Sequence, residues 1–458
     1  MMNLGYMSLI LCDFLMLEKI KTIFQNKFNA EQRKIIVNIG WLASERVFRM
    51  AVGFLTLAWT ARFLGVEQFG TLNYALAFVA IFSPLAQLAS DQITFRDLVN
   101  LQKPKENILG TSFLIKSITG VLIFCSAIAS ILFFQSNDQL VCKLVVIVGG
   151  SAFFSGFSVI ELWFQSQVDS KYTIWARNSS FILGTLVRII LLEVQAPIEL
   201  FAWLVVLESF LNSIGFIVVF KLSGHYILGW RFDYEYAQDL IRVSFPLIFS
   251  TLAIVVYMRI DQVMLGQLAD AKAVGIYSVA VKLSEIWPFA STLIVKSLAP
   301  SIISSKHISE TIYYEKLQRL CNLQALLVYM IAIPMTFLAT PLVKLVFGAE
   351  FAPAGIVLAI HVWSSMFLFL GYVKEIWITT EGITWFAFIF TVAGATMNVL
   401  LNFILIPPYR EVGAAVATVI SYGFADYVMC FIYPPARRFG WMMTQAMSLN
   451  LLKARSSF

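Results

Sequence analysis

Apolar runs of about 20 residues recur along the whole chain, each long enough for a helix to cross roughly 30 Å of hydrocarbon. Twelve such segments are predicted: 38–61, 71–95, 109–134, 141–164, 177–194 and 198–220, then 243–266, 274–300, 320–340, 354–379, 384–406 and 412–433. The fifth is the weakest, because Arg188 and Glu193 interrupt it. KLSGHYILGWRFDYEYAQDLIR is the longest polar connection and separates six segments from six. The predicted organisation is an N-terminal segment 1–35, a six-helix half 36–221, a linker 222–242, a second six-helix half 243–433 and a basic tail 434–458. The join LGVEQFGTLNYALAF is similar to LADAKAVGIYSVAVKL, with Gly70 opposite Gly275 and Ala75 opposite Ala280. Six spans return a chain to its starting side, so such a repeat is parallel, about an axis along the membrane normal.

Composition turns this pattern into a class. A chain of 458 residues that is 59% hydrophobic and 13% charged, with mean hydropathy +0.80, has too little polar surface to cover a soluble globule. The prediction is an all-α polytopic membrane protein. Alternate connections carry Lys19, Lys21, Lys27, Arg33 and Lys34, then Arg96, Lys103 and Lys105, then Lys171, then Lys221, Arg231 and Arg242, then Lys306, Lys316 and Arg319. Arg437, Arg438, Lys453 and Arg455 follow in the tail, whereas the opposite connections hold little more than Arg62, Lys272, Lys344 and Arg410. The positive-inside rule therefore puts both termini in the cytoplasm. The net charge of +6 reads as anchoring at the cytoplasmic leaflet and membrane lipids, and nothing resembles a nucleic-acid patch.

Several chemistries are set aside. MMNLGYMSLILCDFL lacks a basic n-region, contains Asp13 and has no small-residue cleavage site, so it is not read as a signal peptide. An interfacial segment and a true start near Met16 both remain open. Cys12, Cys125, Cys142, Cys321 and Cys430 are scattered singles, and His225, His307 and His361 sit on different elements, so neither disulfide nor metal spacing is present. No GxxxxGK[ST] loop occurs, and no cofactor is implied.

Charge inside the spans carries the candidate chemistry. In NIGWLASERVFRMAVGFLTLAWT, residues 38–60, Asn38, Glu45, Arg46, Arg49, Gly53, Thr56 and Thr60 fall within an arc of about 100°. Charges at a span's centre cost roughly 2.5 to 3.5 kcal/mol each on insertion scales. Glu45 and Arg49 can pair at i, i+4, which leaves Arg46 needing water or an anion. Either the stripe lines a hydrated cavity, or an interhelical ion-pair network fixes packing. In the eighth segment Ser278, Lys282, Glu285, Thr292 and Lys296 share an arc of about 80°, with Pro288 predicted to kink the helix. The seventh adds Arg259 and Asp261, which point to different sides. Asp91, Lys116, Glu161, Arg188, Glu208, Lys374, Glu375 and Asp426 are further charges in or near spans.

ARFLGVEQFGTLNYALAFVAIF, SDQITFRDLV, YMRIDQVMLGQLADAKAVGIYSVAVKLSEIWPF and LIPPYREVGAAVATVISY resemble the polysaccharide transporter family. These are bacterial oligosaccharide flippases of the superfamily that also contains multidrug extruders and the lipid II flippase. The likeness runs from about residue 36 to 433. It implies two six-helix bundles around a central cavity, alternating access, and an undecaprenyl-diphosphate-linked oligosaccharide carried from the cytoplasmic to the periplasmic leaflet of the inner membrane. It further implies that Arg46 and Arg49 meet the diphosphate, and it leaves assembly with a polymerase or chain-length regulator open. Some relatives have two more helices, but PPARRFGWMMTQAMSLNLLKARSSF after Tyr433 is too short and polar for two spans.

A diphosphate brings about two negative charges, and Arg meets such groups with planar, bidentate geometry. Arg46, Arg49, Arg259, Lys282 and Lys296 are therefore the candidate headgroup residues. Glu45, Asp91, Asp261 and Glu285 are candidates for a coupling proton or sodium ion, or for tuning the cations by pairing with them. A drug or cation antiporter would be expected to show a net acidic cavity, whereas these stripes are net basic. A membrane polymerase or ligase on the same lipid carrier would need a substantial periplasmic loop, and every predicted outward connection is short.

Overall fold

A computed structural model describes residues 30–101, 103–135 and 138–448. The first fifteen residues, Lys19, Lys21, Lys27, Lys453 and Arg455 lie outside them, as do the side chains of Arg33, Lys34 and Asn38. No strand occurs among the described residues. The first half comprises α1 (Ala30–Ala80), a 3₁₀ segment (Ser83–Ala89), α2 (Asp91–Asn100), α3 (Lys105–Gln135), α4 (Gln139–Gly149), α5 (Ser158–Ser166), α6 (Lys171–Glu193) and α7 (Ile198–Leu222). The second comprises α8 (Tyr234–Leu268), α9 (Ala271–Ser284), α10 (Pro288–Lys306), α11 (Glu310–Phe347), α12 (Ala354–His361), α13 (Ser364–Glu381), α14 (Thr384–Gly423), a π-helical turn (Phe424–Val428), α15 (Met429–Ile432) and α16 (Arg437–Met447).

Among the described residues, ten helical stretches are long and apolar enough to cross a membrane, and they overlap the predicted segments. Glu45–Asn100 and Thr384–Ile432 hold two segments each, separated by a non-helical residue: Gly65 at φ 68 and Arg410 at φ 52. Glycine meets the first requirement without a Cβ clash; Arg410 is held by ion pairs to Asp270 and Glu411. Aspartates set several starts. Asp138, Asp233 and Asp270 accept from the amides of Val141 (3.0 Å), Tyr236 (2.9 Å) and Ala273 (2.8 Å), capping α4, α8 and α9.

The weak fifth segment is a continuous helix, α6. Arg188 does not break it because Glu208 of α7 accepts from its guanidinium at 2.9 Å. The eighth segment divides, as Pro288 suggested: α9 ends at Ser284 and Pro288 opens α10. Lys282 and Lys296, placed on one arc by the period of an unbroken helix, therefore belong to two helices. The linker region is tied to the first half. The Asp233 carboxylate accepts from Lys103 (3.3 Å) and Asn107 (3.2 Å), and the Tyr236 hydroxyl donates to Asp97 (3.1 Å). The Tyr236 amide, with Asn107 and Lys103, holds the Asp233 carboxyl below the usual carboxylate range. Within the basic tail, residues 437–447 form a helix docked on the second half: Phe439 stacks on Trp377 at 5.6 Å and the Tyr329 hydroxyl donates to the Met447 carbonyl at 2.6 Å.

Three buried apolar clusters organise the packing of the described residues. One spans both halves, joining Phe69, Tyr74, Leu144 and Phe201 to Val274, Tyr277, Phe347 and Phe351. The second lies within the second half, and the third within the first half plus the start of α8. The halves thus share a core at one end, where the kinked stretch 62–70 of α1 meets the turns at 194–198, 269–271 and 347–354, and keep separate cores at the other. The shared end is close-packed through the glycines that the two similar joins have in common. A Cβ on Gly70 would lie 1.8 Å from the Ala271 carbonyl oxygen, and one on Gly275 would lie 2.1 Å from that of Val66. Gly70→Ala is therefore expected to push α1 and α9 apart, because neither obstacle is a movable side chain. Spin-label distances across the two helices at this end would lengthen by several ångström; unchanged distances would show that the contact does not need glycine.

Candidate functional site

Between the separate cores lies a cavity of about 1050 Å³, walled by α1, α6, α7 and α10. From α1 it takes Glu45, Arg46, Arg49 and Met50, and from α10 Phe289, Leu293 and Lys296. The polar stripe of the first segment divides here. Its charged turns face the cavity, while Thr56 and Thr60 are buried and donate to helix carbonyls, Thr56 to Val52 (3.0 Å) and Thr60 to Thr56 (2.7 Å).

Pairing sorts the charges. Buried Glu45 meets Arg49 at 3.5 Å, the i, i+4 contact its spacing anticipated, and Arg177 of α6 at 2.6 Å. Arg177 also reaches Glu161 of α5 at 2.6 Å, where Gln165 donates at 3.0 Å. Two guanidinium groups and two carboxylates thus form a ladder of zero net charge across three helices. Glu208 is likewise neutralised by Arg188. Arg46 and Lys296 have no ion-pair partner among the described residues. Arg46 lies with its guanidinium 5.2 Å from the Phe289 ring centroid, so a cation of the first half touches an aromatic ring of the second. Lys296 is exposed to the same space. The lining charges are Arg46, Arg49, Arg177 and Lys296 against Glu45 and Glu208, two positive charges in excess.

Arg177 was not among the sequence candidates. Its signal was present: Arg177, Ser180, Gly184 and Arg188 recur at helical spacing along the fifth segment, but its position at a segment's edge resembles an interfacial anchor. Removing it leaves Glu161 without an ion-pair partner among the described residues and Glu45 with Arg49 alone. Arg177→Ala is expected to destabilise the protein by about 3 to 5 kcal/mol, the cost of breaking a buried pair from one side, with Arg177→Lys intermediate. Thermal unfolding in detergent reads this directly.

Of the remaining candidates, Arg259 and Lys282 do not line this cavity. Arg259 pairs with Glu285 at 3.4 Å, and Lys282 is the neighbouring cation of that group on α9. Asp91 pairs with Lys116, which also donates to Ser158 at 2.9 Å.

Asp261 is different. It is 3% exposed and has no cationic partner among the described residues. Its carboxylate accepts from the Tyr277 hydroxyl (2.5 Å), the Asn402 amide (2.5 Å) and the Thr418 hydroxyl (2.7 Å). Asn402 donates in turn to Asn398 at 3.1 Å. The Asn402 oxygen and the Asn398 nitrogen are buried without a partner. The residues come from α8, α9 and both limbs of α14, so the turn at Arg410 is what brings Asn402 and Thr418 to one carboxylate. Neutral dipoles solvate this carboxylate but leave its charge uncompensated inside a membrane protein.

Residues 35–306 match the family described as Polysaccharide biosynthesis protein. The capsular polysaccharide biosynthesis protein CapF of Staphylococcus aureus is 22% identical over 401 residues, covering 84% of this chain and 96% of that one. Among solved structures, the lipid II flippase MurJ in an inward closed conformation has a TM-score of 0.69 at 15% identity, covering 91% of this chain and 93% of MurJ. An inward-facing multidrug resistance MATE transporter of the MOP superfamily has a TM-score of 0.68 at 14% identity, covering 90% of this chain and 96% of that one. These identities show a common fold. With more than half of its length matched, this multi-pass helical membrane protein belongs to the polysaccharide biosynthesis protein family.

Proposed function

We propose that the protein is a flippase that moves undecaprenyl-diphosphate-linked oligosaccharide repeat units from the cytoplasmic to the periplasmic leaflet of the bacterial inner membrane, by alternating access. One observation carries this reading: the two uncompensated cations of the cavity come one from each half, Arg46 on α1 and Lys296 on α10. Their combined charge equals the roughly two negative charges of a diphosphate. A headgroup held by both would draw the halves together at the divided end. Closure there levers apart the end sealed by Gly70 and Gly275. With the loop charges orienting the chain, the divided end is cytoplasmic and the sealed end periplasmic, so loading and release fall on the required sides.

Arg49 is a secondary headgroup contact, half satisfied by Glu45. Glu45, Asp91 and Glu285 serve to hold cations in place, since each has a basic partner. Asp261 is the coupling residue, taking a proton or sodium ion whose gradient, or the membrane potential at about 2.3 kcal/mol per charge per 100 mV, supplies the work. The excess positive charge of the cavity disfavours a cationic drug as cargo. The test is leaflet transfer in proteoliposomes: a polyprenyl-diphosphate-linked oligosaccharide should become accessible to an impermeant sugar-modifying reagent only when the protein is present. Transfer no faster than in empty vesicles, with a fluorescent cation exported instead, would favour the antiporter.

A further inference from the structure

Lys374, on α13, is only 5% exposed. Its ammonium donates to Asp426 Oδ1 at 2.7 Å and to the carbonyl of Ala425 at 3.2 Å, and it lies 4.7 Å from the centroid of the Phe390 ring. Among the described residues Lys374 is the ion-pair partner of Asp426 and of no other carboxylate. Asp426 sits within the π-helical turn Phe424–Val428. Such a turn shifts carbonyls out of the α-helical ladder, and Lys374 takes one of them. A Cβ on Gly371 would come within 3.0 Å of Asp426 Oδ1, so the carboxylate is pressed against the α13 backbone with no slack.

This pair shares a helix column with Asp261. Thr418, which donates to Asp261, is followed four residues later by Tyr422 and four further by Asp426. Tyr422 stacks on Tyr257 at 4.4 Å, and the buried Tyr257 hydroxyl has no partner among the described residues. The other titratable groups around Asp426 are Tyr372 on α13 and Cys430 on α15. Two carboxylates thus occupy one half in contrasting settings. Asp261 has neutral ligands only, whereas Asp426 holds an ammonium.

An ammonium is a compact monovalent point charge, and here a carboxylate, a peptide carbonyl and a ring face receive it as they would a small free cation. We propose that Lys374 is a tethered cation filling a second cation site at Asp426, so that the protein takes up a single coupling cation, at Asp261. The proposal rests on the coupling role given to Asp261. With both carboxylates ionised and Lys374 protonated, the three groups carry one net negative charge, which one monovalent cation or proton neutralises. Without the ammonium they carry two.

The test counts cations on the purified full-length protein, with radioactive sodium by equilibrium dialysis and proton uptake by a pH indicator. The expected sum is one for wild type, two for Lys374→Gln and one again for Lys374→Gln/Asp426→Asn. Lys374→Arg keeps the tethered charge and should stay at one. A Lys374→Gln protein that is folded yet still takes up one overturns the tethered cation and leaves the Asp261 reading intact. Zero in wild type with one in Lys374→Gln does the reverse, and zero in both overturns both. Should Lys374→Gln fail to fold in the dialysis buffer, salt decides: recovery of the folded protein in sodium chloride but not in choline chloride supports the proposal, and no recovery in either overturns it. The margin by which sodium chloride stabilises the protein over choline chloride should also be larger for folded Lys374→Gln than for wild type, whose Asp426 is already occupied.

Discussion

Arg46→Ala is expected to slow leaflet transfer of the lipid-linked oligosaccharide by about 30-fold to 4000-fold. Truncating one side of a desolvated charge pair costs about 2 to 5 kcal/mol, and about 1.4 kcal/mol is a factor of ten. Lys296→Ala should lose a similar amount. Both side chains would grip the same diphosphate, so the double variant should lose less than the product of the two single losses. Arg46→Lys should recover part of the rate, keeping the charge and forfeiting the planar fork. Arg49→Ala should cost about tenfold or less, because Glu45 already compensates that guanidinium. None of these changes strands a buried partner of Arg46 or Lys296, so membrane insertion and monodispersity should be unaffected. Wild-type transfer by Arg46→Ala in the proteoliposome assay would end the headgroup assignment.

Asp261→Asn is expected to abolish the response of transport to an imposed ion gradient while leaving the fold intact. The amide is nearly isosteric, and the three donors around the carboxylate can be partly retained by its oxygen. What disappears is the negative charge that would attract a proton or sodium ion. Gradient-driven transfer should fall at least tenfold, to the rate seen when the gradients are dissipated in wild type. Glu285→Gln is the contrast: its carboxylate answers Arg259, so the variant should lose stability and keep its gradient response. The same loss of response in both variants, or in neither, would remove Asp261 from its special position.

The architecture was legible because a membrane leaves few choices. Apolar runs of spanning length must be helices, since only helices satisfy their own backbone in hydrocarbon, and the described residues hold ten helical stretches long and apolar enough to span. Pro288 marked a true break because it cannot donate to the preceding turn. Thin identity between the two joins pointed at Gly70 and Gly275, whose backbones meet at the crossing of α1 and α9. The site was only partly legible. Glu45 and Arg49 pair within one helix, so their spacing alone anticipated the contact. Lys282 and Lys296 were grouped by a period that the turn at residues 285–287 interrupts. Arg177, at a segment's edge, gave no sign that two carboxylates awaited it.

What the sequence by itself determined is the all-helical membrane class, the family and the charged face of the first helix. Each follows from neighbours in the chain, or from residues three and four apart, where helical geometry is the same in any fold. Only the tertiary structure decided which charges are neutral and which are free. Glu45 and Arg177 lie 132 positions apart, and Asp261 finds Asn402 and Thr418 at separations of 141 and 157. Helical periodicity tells which side a charge is on; it does not tell what the opposing helix presents there. Neutralisation acts through space at a few ångström, so Arg46, Lys296 and Asp261 stood out from a dozen similar charges only once the helices were packed.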